Sequence, residues 1–221
     1  IKTGVQGYRF TSLSIGPQLL AKTPLVEGYH AIGGTQDGLS GTIILLQPNR
    51  AGGGKVLGKA LDILDFGCGP GRDLAVFKQL GHRPIGLDGS ESFCSMAQQY
   101  SACTVLNQQF LNLDLEPDSF DGIYANASMF HVPSQGLPSV LAVCHRALKP
   151  HGILFLSNPR GDAEGWQGER YGHYMEYDQS QFYLEQAGFS ILDHYYRPEG
   201  KPRHEQPWLA IVSQRNDSIP S

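Results

Sequence analysis

From Asp62 to Leu156 short apolar runs alternate with longer mixed segments, and that rhythm predicts most of the chain's elements. Ile63-Leu64-Asp65-Phe66, Ile85-Gly86-Leu87, Thr104-Val105-Leu106, Phe120-Asp121-Gly122-Ile123-Tyr124-Ala125-Asn126-Ala127 and Ile153-Leu154-Phe155-Leu156-Ser157-Asn158 read as strands. Helices are expected to open at Arg72-Asp73-Leu74-Ala75-Val76-Phe77, over Glu91-Ser92-Phe93-Cys94-Ser95-Met96-Ala97, and over residues 137–148. Strands alternating with helices at this spacing are the signature of a parallel sheet with crossover helices, an α/β fold. Beyond it, a polar, glycine-rich stretch over 158–174 reads as a loop, and loops of that length are uncommon unless functional. A helix over 178–187 then ends at Gly188, and strands are expected near 190–196 and 208–214.

Residues 1–60 break the rhythm. They hold 12 of the 27 glycines and no sustained period of 3.6 or 2. The expectation there is a glycine-rich lid or extension with one better segment, a short helix over 42–46 capped by Ser40. Tyr8 or Tyr29 is a candidate to close over a ligand, though an aromatic in such a segment is more often ordinary packing.

The first predicted strand leads into the most telling stretch, Asp65-Phe66-Gly67-Cys68-Gly69-Pro70-Gly71-Arg72. Glycines at alternate positions let the backbone take positive φ and leave room for a ligand to lie on the main chain. The helix that follows points free N–H groups at that place. The dinucleotide fingerprint G-x-G-x-x-G needs its third glycine one position later, where this chain has Arg72, so a nicotinamide-dependent oxidoreductase is disfavoured. The second strand closes in Asp88, about 20 residues beyond the turn, where a carboxylate can accept hydrogen bonds from ribose hydroxyls.

The pattern D-x-G-x-G-x-G, with Asp88 after it, resembles the class I S-adenosylmethionine-dependent methyltransferases. The resemblance extends to Lys149-Pro150-His151-Gly152 before the fifth strand and runs over about residues 60–215. It implies a Rossmann-like three-layer sandwich with a seven-stranded, mostly parallel sheet closed by an antiparallel C-terminal hairpin. The domain would span 61–215, with 1–60 as lid and 216–221 as tail. S-adenosylmethionine is the implied cofactor: Gly67, Gly69 and Gly71 beside its methionine part, Asp65 orienting the amino group, and Asp88 on the ribose. Gln109 and Phe110 stand where the family has an acid and an apolar residue against adenine. Glutamine carries both donor and acceptor and can still pair with the adenine edge. Asn126, near the end of the fourth strand, is a further candidate cofactor contact, and the strand opens into Ser128-Met129-Phe130-His131-Val132-Pro133, where the family faces the transferable methyl. Gly34-Thr35-Gln36-Asp37 and the residues after it partly match a cofactor-covering segment of small methyltransferases.

Methyl transfer from a sulfonium needs alignment more than acid–base work, and a general base only if the nucleophile arrives protonated. His131, after the fourth strand, is the candidate base or substrate contact. Arg160, Arg170 and Tyr171 are candidate substrate residues. They belong to a group with His173, Tyr174, Tyr195, Tyr196, Arg197, Arg203 and Trp208 that gathers cations and aromatics at one end of the sheet. Arginine forks bind carboxylates and aromatics form apolar walls, so a small anionic or aromatic acceptor, methylated on O, N or S, is expected. The alternative is an inert cofactor-binding module that supports a partner protein.

Composition trims the options. A length of 221 residues suits one domain of ordinary size, and a net charge of −4 with no basic run disfavours nucleic acid. Cys68, Cys94, Cys103 and Cys144 lack CxxC spacing, so neither a metal site nor a disulfide framework is expected. No apolar run approaches 18 residues, and a soluble cytoplasmic protein without membrane contact is the expectation. Monomer and homodimer remain equally open.

Overall fold

The computed structural model describes residues 30–33, 42–45, 60–198 and 200–216. The expected lid therefore lies largely outside the described residues, with Tyr8, Tyr29 and 34–37, as does the tail beyond 216. Two strands of that region are described, β1 (His30–Gly33) and β2 (Thr42–Leu45), paired antiparallel. The helix expected over 42–46 is thus a strand instead. Thr42, Ile43 and Ile44 are β-branched in succession, stiff at χ1 and better suited to a pleated surface than to a helical turn.

The main unit follows the predicted alternation. It runs β3 (Asp62–Phe66), α1 (Arg72–Gln79), β4 (Arg83–Asp88), α2 (Glu91–Ser101), β5 (Thr104–Asn107), β6 (Phe120–Asn126), α3 (Leu137–Ala147) and β7 (Leu148–Pro159). After a hairpin, β8 (Glu164–Gln167) and β9 (Arg170–His173), come α4 (Tyr177–Gln186), β10 (Phe189–Arg197) and β11 (Trp208–Arg215). Seven strands form one sheet in the order β10-β11-β7-β6-β3-β4-β5. From β7 to β5 every pair is parallel, with Leu64 opposite both Ile85 and Ile123. β11 is antiparallel to β7 and to β10, so it alone runs against the sheet.

Strand alternation sorts the core into two faces. Leu64, Phe66, Ile123, Ala125, Leu154 and Leu156 pack with Val140 and Leu141 of α3 and Leu184 of α4. Ile63, Tyr124, Ile153 and Phe155 pack with Phe77 of α1 on the other side. These are the three layers that the apolar runs require, since strands covered on both faces have no polar side to show.

The Lys149-Pro150-His151-Gly152 turn read before the fifth strand falls instead within the first part of β7. β7 pairs with β6 at Leu148 and again from Ile153, and His151 between them takes φ +63. Lys149 in that turn reaches Asp62 at 2.7 Å and Asp121 at 2.9 Å. Arg83 and Lys149 hold the Asp62 carboxyl far below its ordinary range, Arg83's hydrogen bond being the largest cause.

One segment departs from the sequence reading. The expected loop over 158–174 contains the antiparallel pair β8–β9, with Trp166 opposite Tyr171 and Gln167 opposite Arg170. Gly168, first of the two residues between the strands, has φ +63, the conformation a type II′ hairpin turn needs there.

Candidate functional site

The chain order reverses at β3: β4 and β5 extend the sheet one way, β6 and β7 the other. Beyond the carboxyl ends of strands at such a switch point, loops part and leave a crevice. Here it measures about 930 Å³ and takes its walls from the glycine turn, Asp88-Gly89-Ser90, Phe93, Gln109-Phe110-Leu111, Ala127-Ser128, His131, Pro133, Trp166 and Tyr171.

The glycine turn forms its floor. The amides of Gly67 and Cys68 donate to the Leu87 carbonyl at 2.7 and 3.0 Å, fastening the turn to the end of β4. A Cβ on Gly67 would stand 2.3 Å from Ser128 Cβ, and one on Gly69 would meet nothing within 4 Å. Gly67 therefore admits the Ser128 side chain, whose hydroxyl donates to the Phe66 carbonyl at 2.6 Å, while Gly69 faces open space. Gly71, expected to contact the cofactor, does not line the crevice. With φ +90 it caps α1 at the N-terminus, and a Cβ there would lie 2.7 Å from Ala97 Cα, so its role is the close approach of α1 to α2.

Asp88 braces the turn. Its carboxylate accepts from the Gly69 amide at 3.0 Å and from the Ser90 amide at 2.9 Å. Ser90 in turn caps α2, its hydroxyl accepting from the Phe93 amide. Gln109 lines the crevice and donates from Nε2 to the Gly89 carbonyl at 2.9 Å, which leaves its Oε1 as an acceptor. The Phe110 ring stacks on Phe66 at 4.5 Å, so it is both core and wall.

Asp65 lies buried beneath the turn. Among the described residues its Oδ2 has no hydrogen-bond partner. Burial pushes its carboxyl well above the ordinary range, and the charges of Asp73 and Asp88 push the same way. A buried acid in this condition gains most from a cationic partner. Burial likewise pushes the Cys68 thiol up, so this cysteine is inert packing within the turn.

His131 ends a 3-10 turn, Met129–His131, that follows Ala127, a non-glycine residue at φ +59. Its Nδ1 sits 2.7 Å from the Tyr171 carbonyl oxygen. A carbonyl can only accept, so Nδ1 carries the hydrogen and the neutral ring keeps its lone pair on Nε2. Tyr171 is held from its other end, where its hydroxyl donates to Glu164 Oε1 at 2.7 Å. The same oxygen takes the Ser134 amide at 2.7 Å, so the β8–β9 hairpin is fastened twice to the loop that carries His131.

Of the residues read from sequence, Gly67, Gly69, Asp88, Gln109, Phe110, His131 and Tyr171 thus come together; Asp65, buried and opposite Tyr124 in the register of β3 and β6, is not among the crevice's walls. Asn126 does not line the crevice: it follows Tyr124 and Ala125 in the alternation of β6 and shares the Tyr124 face. Arg160 is engaged elsewhere. It donates to the Gln206 and Arg203 carbonyls, both at 2.6 Å, and to Glu176 at 2.8 Å, joining the end of β7 to the segment before β11. Arg170 is exposed on β9 and outside the walls. The expected group of cations and aromatics is therefore divided, with Arg197 lying over Trp208 at 5.4 Å and Arg203 over Tyr196.

Sequence reasoning did not single out Phe93, Leu111, Trp166 or Glu164. Phe93 had a local signal, as an aromatic in the first turn of the helix after Asp88. Trp166 had another, as a large apolar residue in a polar stretch. Glu164 had none, because its partners lie 30 residues upstream and across a strand pair. Among the described residues no helix is long and apolar enough to cross a membrane, and no group of three metal-binding side chains occurs.

Residues 63–152 match the family described as a methyltransferase domain. Over 102 residues, 42% of this chain and 26% of the relative, the sequence is 31% identical to a sterol 24-C-methyltransferase of Clavispora lusitaniae. A ubiquinone biosynthesis O-methyltransferase of Methylococcus capsulatus is 32% identical over 100 residues, 42% of this chain and 41% of its own length. The chain thus spans well under half the length of these relatives. Among solved structures, the Burkholderia thailandensis 1,6-didemethyltoxoflavin-N1-methyltransferase, bound to 1,6-didemethyltoxoflavin and S-adenosylhomocysteine, superposes with a TM-score of 0.60. It is 26% identical, and the match covers 73% of both chains.

Proposed function

Because this chain belongs to the class I S-adenosylmethionine-dependent methyltransferase family, we propose that it methylates an oxygen, nitrogen or sulfur atom of a small aromatic molecule held in the crevice above Gly67, Gly69 and Asp88. The observation that carries this is the buried Asp65 carboxyl, whose Oδ2 has no hydrogen-bond partner among the described residues, under a glycine turn whose Gly69 faces open space. That pairing fits a cofactor with a cationic amino group lying on bare backbone.

When bound, S-adenosylmethionine supplies a sulfonium methyl, and on transfer the carbon–sulfur electron pair passes to sulfur. The chain's part is to hold and orient. Asp65 meets the amino group's charge, and Asp88 has lone pairs beyond its two amide bonds for ribose hydroxyls. Gln109 Oε1 accepts from the adenine amino edge, so the amide standing in for the family's acid still supplies the needed acceptor. Phe110, backed by Phe66, gives the base an apolar wall. His131 Nε2 takes the proton from the acceptor's O–H, N–H or S–H as that atom bonds to the methyl carbon. The imidazolium so formed keeps its Nδ1 hydrogen on the Tyr171 carbonyl. Among the described residues no lysine or arginine lines the crevice, and an aromatic acceptor is the half of the expected class that these walls favour. The N1- and O-methyltransferases named above are compatible with it.

Two measurements test the proposal. S-adenosylhomocysteine should bind by calorimetry, at least 10-fold more weakly to Asp88→Ala. Extracts supplied with cofactor labelled in its methyl group should yield a labelled small molecule, at a rate about 100-fold lower for His131→Ala with S-adenosylhomocysteine affinity kept. Absent binding would refute the family's cofactor here, and binding without any labelled product would leave an inert module.

A further inference from the structure

Trp166 is the most exposed large apolar residue among those described, at 73%, yet it lines the crevice and is not loose. Its ring stands edge-on to Tyr171 with centroids 5.6 Å apart and planes at 80°. Tyr171 is itself fixed through its hydroxyl on Glu164 and its carbonyl on His131. One residue therefore props the indole and orients the imidazole. Phe93 and Leu111, 43% and 64% exposed, line the same crevice. A tryptophan kept wet at a fixed angle in a crevice with two more wet apolar side chains is what a stacking ligand covers.

Charge narrows the ligand. Among the described residues the ionisable groups lining the crevice are Asp88, His131 and Tyr171, with Glu164 hydrogen-bonded to Tyr171, and no lysine or arginine lines it to neutralise an acidic ligand. A second cation beside a sulfonium would be repelled as well. We propose that the β8–β9 hairpin forms an acceptor subsite for an uncharged, fused-ring aromatic bearing a hydroxyl, with Trp166 as its stacking face and His131 as the group its hydroxyl meets. This rests on the methyltransferase reading and adds the substrate class and a specificity residue to it.

The test uses the full chain saturated with S-adenosylhomocysteine and titrated with 2-naphthol, 3-hydroxy-2-naphthoate and decahydro-2-naphthol, read by calorimetry and indole fluorescence. Expected is 2-naphthol binding at least 10-fold tighter than the acid or the saturated ring, with quenching. Trp166→Leu should weaken it about 10-fold and abolish the quenching, Trp166→Phe should retain most of the affinity, and neither should alter S-adenosylhomocysteine binding. Equal or tighter binding of the naphthoate or the saturated alcohol, or an unchanged Trp166→Leu, would overturn the inference. Binding of S-adenosylhomocysteine without any of 2-naphthol would overturn it while the methyltransferase reading stands. Failure of S-adenosylhomocysteine itself to bind would remove that reading and the inference together.

Discussion

Gly69 and Gly71 look alike in the sequence and do different work. Both have positive φ, where any side chain costs about 1–2 kcal/mol of backbone strain. Only Gly71 has a neighbour in the way, the backbone of Ala97 at 2.7 Å from its missing Cβ. Gly71→Ala should therefore lower the urea midpoint more than Gly69→Ala, whereas Gly69→Ala should lose more S-adenosylhomocysteine affinity in calorimetry. Equal losses in both assays would contradict the division. The turn was legible because three alternate glycines after an apolar strand are a local pattern. Which glycine faces the open crevice was not, since Ala97 belongs to the next helix and meets Gly71 only in the fold. The same limit hid Arg160, whose partners at 176, 203 and 206 make it a staple between β7 and the segment before β11.

Among the elements, the small β8–β9 hairpin brings Trp166 and Tyr171 to the crevice. Its strands have four residues each and little apolar alternation, so its sequence reads as loop, and its pairing depends on a turn set by Gly168. Its attachment runs through Glu164. The Ser134 amide, first, and the Tyr171 hydroxyl hold that carboxyl down at about 2, against an ordinary 4.5. A depressed acid contributes its anchoring fully above its unfolded pKa and loses it as pH falls through the folded value. Exchange protection of the Ser134 amide, corrected for intrinsic rate, should then hold steady from pH 7 to 5. Glu164→Leu should remove that protection and cut turnover about 10-fold without changing S-adenosylhomocysteine affinity. Glu164→Gln, which can still accept both hydrogen bonds, should restore most of each. Persistent protection in the leucine variant would detach the hairpin's position from Glu164.

For the whole molecule, the layered plan was legible from one property: strands covered on both faces appear as continuous apolar runs between helices. The N-terminal 60 residues offered no such period, and the one helix expected there is a strand. Acid sensitivity is also a property of the assembled fold. Burial pushes His82 and His145 below the ordinary histidine range, helped by Arg83 and Arg215 respectively. The unfolded chain then takes up protons first as pH drops, so stability should decline from about pH 6.5 downward. Urea midpoints at pH 7.5 and 5.5 test this, and His145→Leu, which removes the buried imidazole, should show a smaller decline. An equal decline would clear His145.

The position of β11 between β7 and β10 has a consequence for synthesis. On the ribosome β10 emerges before β11, and with β11 missing it has no strand to join. Until residue 208 and those after it have left the exit tunnel, β7 presents an unpaired, strongly apolar edge of Ile153, Leu154, Phe155 and Leu156. Nascent chains stalled in that interval are the species most prone to aggregate and the natural clients of a chaperone.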